Sequence, residues 1–514
     1  MSAFLRTARS QIPVVTLATL FAMVVVYLAG EGGAKLVLAV LGVAILGVGA
    51  TLLGNFRLFC LWGLILTLPL DLSYRVGRVY TKLGGETSFR IEISDLFWLC
   101  LLAYLVRELW TRSLRGVRVP KVTYLWIALM TMGMGAVILG PWRITALHEL
   151  VRMVKVALIF IVVCNELRTR ERFMQVALAL AAAVVIQACA GLAQFVTGSA
   201  LGLTVLGEAD VVSAQNVVKA ASVVRIGAFM IHPVIFATFL ATLLPICLGM
   251  LLARTGRRAR MMFVAAVLLG VPTLVLTLSR AGWLTFFVTS SILAVVVMLR
   301  PALRRKAIGP LAGVGAVVAV VAIAFSGQIT ARIFQSNPES EMGRDEWKVD
   351  AVRLASVKPI LGWGLNSYTF AVPPYTRLGE RGAREFYEKA SFGGTKLTPV
   401  VHNAYLQWFA ELGVVGLVLH LWIFVSLILM SYRNFRVRDE FLYVLNAACL
   451  AGVVGYLVDL NFGNSLRQGS TLREFWVLAA LICGIHYWRL REERPPPDSA
   501  VPAEASPEGR PAGR

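Results

Sequence analysis

The chain has 514 residues, 58% of them hydrophobic and 15% charged, and its mean hydropathy is +0.72. Soluble globular domains carry about a quarter charged residues, so this composition excludes one and specifies a polytopic membrane protein. The formal charge of +21 comes in short clusters between apolar runs and not on one folded face, which argues against a nucleic-acid partner.

Taking apolar runs of about 17 to 25 residues as spanning helices, the sequence predicts fourteen. They lie near 11–29, 35–54, 57–70, 93–110, 122–139, 149–164, 173–196, 233–253, 261–277, 282–299, 307–325, 403–430, 441–460 and 472–488. The first follows Arg6 and Arg9 but lacks a small-residue cleavage site, so it reads as a retained helix. Alternate connections hold dense positive clusters: Arg107 to Lys121, Arg168 to Arg172, Arg254 to Arg260, Arg300 to Lys306, and Arg433 to Arg438. The positive-inside rule turns these, and both termini, to the cytoplasm. The tail from Arg489 onward, with Pro495-Pro496-Pro497, has the composition of a disordered segment.

The division expected is therefore 1–232, N-terminal spans with outer loops; 233–325, further spans; 326–401, a large outer loop of short helices; 402–488, C-terminal spans; and 489–514, the tail. The seven cysteines form no CxxC pair and read as small packing residues. No Walker loop, HExxH or EF-hand loop occurs, so neither a cofactor nor a metal site is expected.

The opposite connections project to the exterior. Residues 71–92 carry Arg75, Arg78, Lys82 and Arg90; residues 197–232 carry Lys219 and Arg225; residues 278–281 form a tight turn that holds Arg280 at the interface. The loop 326–401 far exceeds the usual connection length, which marks it as functional. Within it, charges alternate at helical spacing from Gly343 and Arg344 to Arg353, and Lys358 to Asn366 breaks into a Pro and Gly turn before the chain descends to His402.

His402 opens the next span, where it meets both lipid and water. Asn403, Gln407 and Glu411 follow at intervals of four and make one polar stripe down roughly 12 Å of helix. Polar groups at that depth face protein or a water-filled cavity, because leaving them in lipid costs several kcal/mol.

Positive residues on the outer side run against the usual bias and need a reason. Arginine binds phosphate oxygens bidentately and stays charged at any working pH, which suits a lipid-linked diphosphate. Fixed Arg donors would stabilise the charge growing on a departing diphosphate, while a neutral histidine takes the proton of an attacking sugar hydroxyl. Each residue also has a plainer reading. Arg225 and Arg280 can snorkel to lipid phosphates, Arg344 can be a salt-bridged loop residue, His402 and His232 can be helix-start residues, and Gln407 can bond a neighbouring helix.

The ordered pieces Arg225-Ile226-Gly227-Ala228-Phe229, His232-Pro233, Thr277-Leu278-Ser279-Arg280-Ala281-Gly282-Trp283, Gly343-Arg344, Trp347, Pro359-Ile360-Leu361-Gly362-Trp363-Gly364, His402-Asn403-Ala404-Tyr405-Leu406-Gln407 and Glu411-Leu412-Gly413 resemble the O-antigen ligase and O-antigen polymerase superfamily. The resemblance covers roughly residues 222–430. It implies an all-α membrane bundle with a large periplasmic loop, in the bacterial inner membrane, acting without metal or nucleotide on an undecaprenyl-diphosphate-linked glycan donor. It implies that Arg225 and Arg280, with Arg344, bind the diphosphate and that His402 activates the acceptor; His402 and Arg280 are therefore the expected catalytic residues, and the stripe of Asn403, Gln407 and Glu411 read from spacing is expected to support them. His232-Pro233 stands where Asn-Pro is common in the family.

Two activities share this chemistry. A polymerase of O-antigen or exopolysaccharide joins one lipid-linked glycan to another, and a ligase moves the chain onto lipid A core. Fourteen spans exceed the twelve usual for ligases, and the segment before Asp95 resembles those of exopolysaccharide polymerases, which favours the polymerase. A lipid-linked oligosaccharide flippase would distribute polar groups through the membrane depth, and a scaffold of polysaccharide export machinery would not need His402 or Arg280. Membrane lipids and export machinery are the further partners expected.

Overall fold

The computed structural model describes residues 55–76, 85–112, 116–203, 206–208, 217–218, 223–230, 232–334, 338–376 and 400–493. The expected spans 11–29 and 35–54, the tail beyond 493, and Arg78, Lys82 and Lys219 lie outside them.

Helix dominates, as apolar backbone in lipid requires. In chain order the helices are α1 (Phe56–Thr67), α2 (Ile93–Arg112), α3 (Val122–Leu139), α4 (Arg143–Glu166), α5 (Arg170–Thr197), α6 (Pro233–Leu252), α7 (Arg257–Leu276), α8 (Arg280–Met298) and α9 (Pro301–Ala324). The outer loop contributes α10 (Ser326–Phe334), α11 (Pro338–Val357) and α12 (Tyr368–Ala371). It is followed by α13 (Ala404–Asn434), α14 (Glu440–Asp459) and α15 (Gly469–Glu492). Two small antiparallel pairs, β1 (Ser73–Val76) with β2 (Phe89–Glu92) and β3 (Val217–Val218) with β4 (Val223–Val224), are the only sheet among the described residues.

The chain is an all-α polytopic bundle. Each expected span from 57–70 onward is a helix, and eight helices of the described residues are long and apolar enough to cross a membrane: α3, α5, α6, α7, α8, α9, α13 and α14. The remaining expected spans are the twelve-residue α1 and the more charged α2, α4 and α15. Helix α6 is the axis of one half: it packs on α7, α8 and α14 and is almost wholly buried. Helix α11, at 20 residues, is longer than the short helices expected of the loop.

The positive clusters gather at one end of the bundle, tied across helices by ion pairs. Arg57 reaches Glu108 (2.5 Å) and Glu166 (2.7 Å), Arg170 reaches Asp439 (2.9 Å), and Lys306 reaches Glu440 (2.7 Å). Arg225, Arg280 and His402 lie at the opposite ends of the same helices, next to the N-termini of α6, α8 and α13.

Helix α13 departs from the single span read over 403–430. Gly413 has φ 65° and ψ −168°, which breaks the helix. The break is filled by the Pro359–Gly364 turn of the outer loop: Trp363 N donates to Ala410 O (3.1 Å) and Gly364 N to Glu411 O (2.8 Å). In return Val414 N donates to Pro359 O (2.8 Å) and Val415 N to Ile360 O (3.3 Å). Backbone groups freed by the kink are thus satisfied by protein, the condition under which a broken helix is tolerated at a membrane. The two approaching strands of backbone leave no room for side chains. A Cβ on Gly362 would sit 2.4 Å from the Glu411 carbonyl, and Gly362 itself has φ 69°. The Pro-Ile-Leu-Gly-Trp-Gly and Glu-Leu-Gly motifs are therefore one interlocking joint. After the break about 21 residues remain, or roughly 30 Å of helix, enough to cross the hydrocarbon core alone.

Candidate active site

Residues 277 and 278 form the floor of the site. The turn joining α7 to α8 is tight, as expected, and it is closed by Leu278 in the left-handed region (φ 50°), an unusual conformation for a leucine. Arg225 Nε donates to the Thr277 carbonyl (3.0 Å), and Arg332 Nε donates to the Leu278 carbonyl (3.0 Å). Two residues on, Arg280 opens α8 behind Ser279, whose hydroxyl caps the helix by accepting from Gly282 N (3.3 Å). Arg225 itself follows β4 and precedes Ala228, another left-handed residue (φ 47°), whose N–H is held by Gln194 Oε1 (2.8 Å).

Arg225 is buried, and its Nη2 has no hydrogen-bond partner among the described residues. Burial, together with the positive charges of Arg332 and Arg344, brings its pKa down to about 9. Among the described residues, no carboxylate is one of the charges acting on it. A guanidinium in such a position is desolvated and repelled by its neighbours, an arrangement that an anion would relieve.

His232 and His402 border the same space. His232 Nδ1 accepts from Val234 N (3.2 Å) and caps α6 ahead of Pro233 at its first turn. Loss of surrounding water, then the charges of Arg225, His402 and Arg344, lower the His232 pKa to about 4. His402 is exposed, yet the packing around its ring and then the Arg344 charge bring its pKa down to about 4, so it is neutral at pH 7 and can accept a proton. The Trp347 ring of α11 covers it, with centroids 5.7 Å apart.

The polar stripe divides. Asn403 is half-buried and caps α13, its side chain accepting from Leu406 N (3.0 Å). Gln407 bonds Glu411 of its own helix (3.0 Å), not a neighbouring helix. Glu411 accepts from Asn366 N (3.0 Å) and pairs with Arg467, which also binds Glu149 (2.8 Å). Arg152 joins this buried set by bonding Glu149 and by donating to the Arg467 carbonyl (2.5 Å). Glu411 and Gln407 thus anchor the joint with the outer loop and do not face the cationic space.

Sequence reasoning missed Arg332 and Arg467. Arg332 lies at the start of the large loop 326–401 and Arg467 in the short connection before α15, and the one signal was their charge: Arg332 is an outer-side cation of the kind that drew attention to Arg280.

Residues 264–421 match the family model described as O-Antigen ligase. Over these residues the chain is similar to the O-antigen ligase family. No curated protein matches it. The ligase-family stretch runs from α7 into α13 and so includes Arg280, Arg332, Arg344, His402 and the Gly413 joint. Arg225 and His232 precede it, and Arg467 follows it. The stretch similar to the O-antigen ligase family thus carries most of a cationic, histidine-bordered space at one end of a membrane bundle.

Proposed function

We propose that the protein is a glycosyltransferase of the bacterial inner membrane that polymerises undecaprenyl-diphosphate-linked repeat units of an O-antigen or exopolysaccharide at the periplasmic face. The observation that carries this is the buried Arg225 Nη2, held beside Arg332 and Arg344, with no hydrogen-bond partner and no carboxylate acting on it among the described residues. The sidedness rests on the basic clusters at the far end of the bundle, which the positive-inside rule turns to the cytoplasm.

In this reading Arg225, Arg280 and Arg344 hold the donor diphosphate, and neutral His402 accepts the proton of an acceptor hydroxyl. The acceptor oxygen bonds to the anomeric carbon as the bond from that carbon to phosphate oxygen breaks, and the electron pair leaves on the diphosphate. Fixed guanidiniums take the stabilising role there, without a metal ion.

The second reading is a ligase acting on lipid A core, favoured by the description of the matching family. The surface glycan of a deletion strain separates the two. Single repeats on the lipid core indicate the polymerase, and full-length polymer retained on the lipid carrier indicates the ligase. Arg280→Lys keeps the charge and loses the fork, so activity should fall by about 10²-fold at unchanged protein level. Wild-type activity in that variant would reduce Arg280 to a lipid anchor.

A further inference from the structure

The backbone on either side of His402 is fixed from outside its own segment. Ala404 N donates to Leu460 O (3.0 Å), Asn403 Nδ2 to Asn461 O (3.3 Å), and Asn464 Nδ2 to Val401 O (2.6 Å). One turn into α13, Tyr405 OH donates to Leu457 O (2.6 Å). All four acceptors or donors on the far side belong to the end of α14 and the connection that follows it, so this connection brackets the imidazole. A carbonyl can only accept, which forces the Asn464 amide nitrogen toward Val401 and leaves Oδ1 on the other side. That oxygen is buried and has no hydrogen-bond partner among the described residues.

Resting on the transferase reading, we propose that Asn464 is a positioning residue for transfer: it locks Val401, and through it the His402 ring, in the geometry for proton abstraction. Its contact is the shortest of the three backbone ties around His402 and lies on the side where the chain enters from the outer loop. The three ties divide the work. Leu460 and Asn461 hold the helix side of His402, and Asn464 is the tie that holds the loop side. Without it the ring would still start α13 but could swing with residues 400–402.

The test uses the full-length protein in lipid nanodiscs, with lipid-linked glycan extracted from a strain lacking the protein as donor. Asn464→Asp keeps the shape but sets an oxygen against the Val401 carbonyl, and at pH about 8 the new carboxyl is ionised. Asn464→Gln keeps the amide donor on a longer arm. Carbethoxylation of His402 by diethyl pyrocarbonate, read by mass spectrometry, reports the ring independently of turnover.

For Asn464→Asp we expect kcat to fall by about 10- to 100-fold with donor KM unchanged, as a displacement near 1 Å produces, and the His402 modification rate to depart from wild type. Asn464→Gln should recover part of kcat. A residue that merely filled space would give the reverse order, with the larger Gln the worse variant, and that order overturns the proposal. Wild-type kcat in Asn464→Asp, or reduced kcat with wild-type His402 reactivity, also overturns it. His402→Ala distinguishes this inference from the reading beneath it. If His402→Ala is inactive while Asn464→Asp is normal, Asn464 alone is wrong; if His402→Ala is fully active, the role of His402 fails and the reactivity measurement still decides whether Asn464 positions the ring.

Discussion

Gly413→Ala should unlatch the outer loop from the membrane bundle. An alanine Cβ at this position would lie 2.1 Å from Ile360 O, 2.2 Å from Ile360 C and 2.6 Å from Leu361 N. These are backbone atoms, so no rotamer change relieves the clash. The backbone at φ 65°, ψ −168° belongs to a region nearly restricted to glycine, which costs an L-residue about 1–3 kcal/mol. Moving the Pro359–Gly364 turn away would break four hydrogen bonds across the joint, and the two accepted by the carbonyls of buried Ala410 and Glu411 would leave those groups unsatisfied at about 1–3 kcal/mol each. The least these add up to is about 3 kcal/mol, a large fraction of the stability of many domains. The assay is the temperature at which detergent-solubilised protein loses its monodisperse peak. Gly309→Ala, on α9 with open space around it, serves as the control. Gly362→Ala strikes the same joint from the other side and should give a similar loss, with the double variant little worse than either alone. If Gly413→Ala melts with the control, the helix break and its filling by the loop are wrong.

Two further outcomes follow from the polar groups. Arg467→Ala leaves the Glu149 and Glu411 carboxylates buried without their shared cation and should cost about 3–5 kcal/mol, seen as a lower melting temperature; an unchanged one would deny the network. His402 acts as a base only when deprotonated, so kcat/KM should rise with pH through about 4 and then stay flat to neutrality. Arg344→Gln removes one cause of that low value and should move the limb upward toward 6.5, whereas a limb already at 6.5 in the wild-type protein would contradict the site described.

The sequence located the arginines and the histidine for reasons that are local. An outer-side cation at the edge of an apolar run is anomalous wherever the rest of the chain goes, and Arg225, Arg280 and His402 each sit at such an edge. The same locality explains His232, whose position before a proline already read as a helix start, and it has that role. Glu411 was different. Its depth in an apolar run singled it out, but its partner Arg467 belongs to a connection read only as the gap between two spans. The stripe was placed on one helix face, yet its members have three separate tasks, because spacing gives a direction and not what stands opposite.

Hydropathy and helical periodicity by themselves determined the bundle, the span positions that are described, and the end at which the site lies, since these depend on each stretch meeting lipid or water on its own. Tertiary structure alone decided the break at Gly413, the bracket around His402 and the place of Arg332 beside Arg225. The physical reason is separation along the chain. Arg467 meets Glu149 across 318 positions, and Asn464 meets Val401 across 63. Such pairings are chosen by which helices pack together, a choice that no local run of residues records.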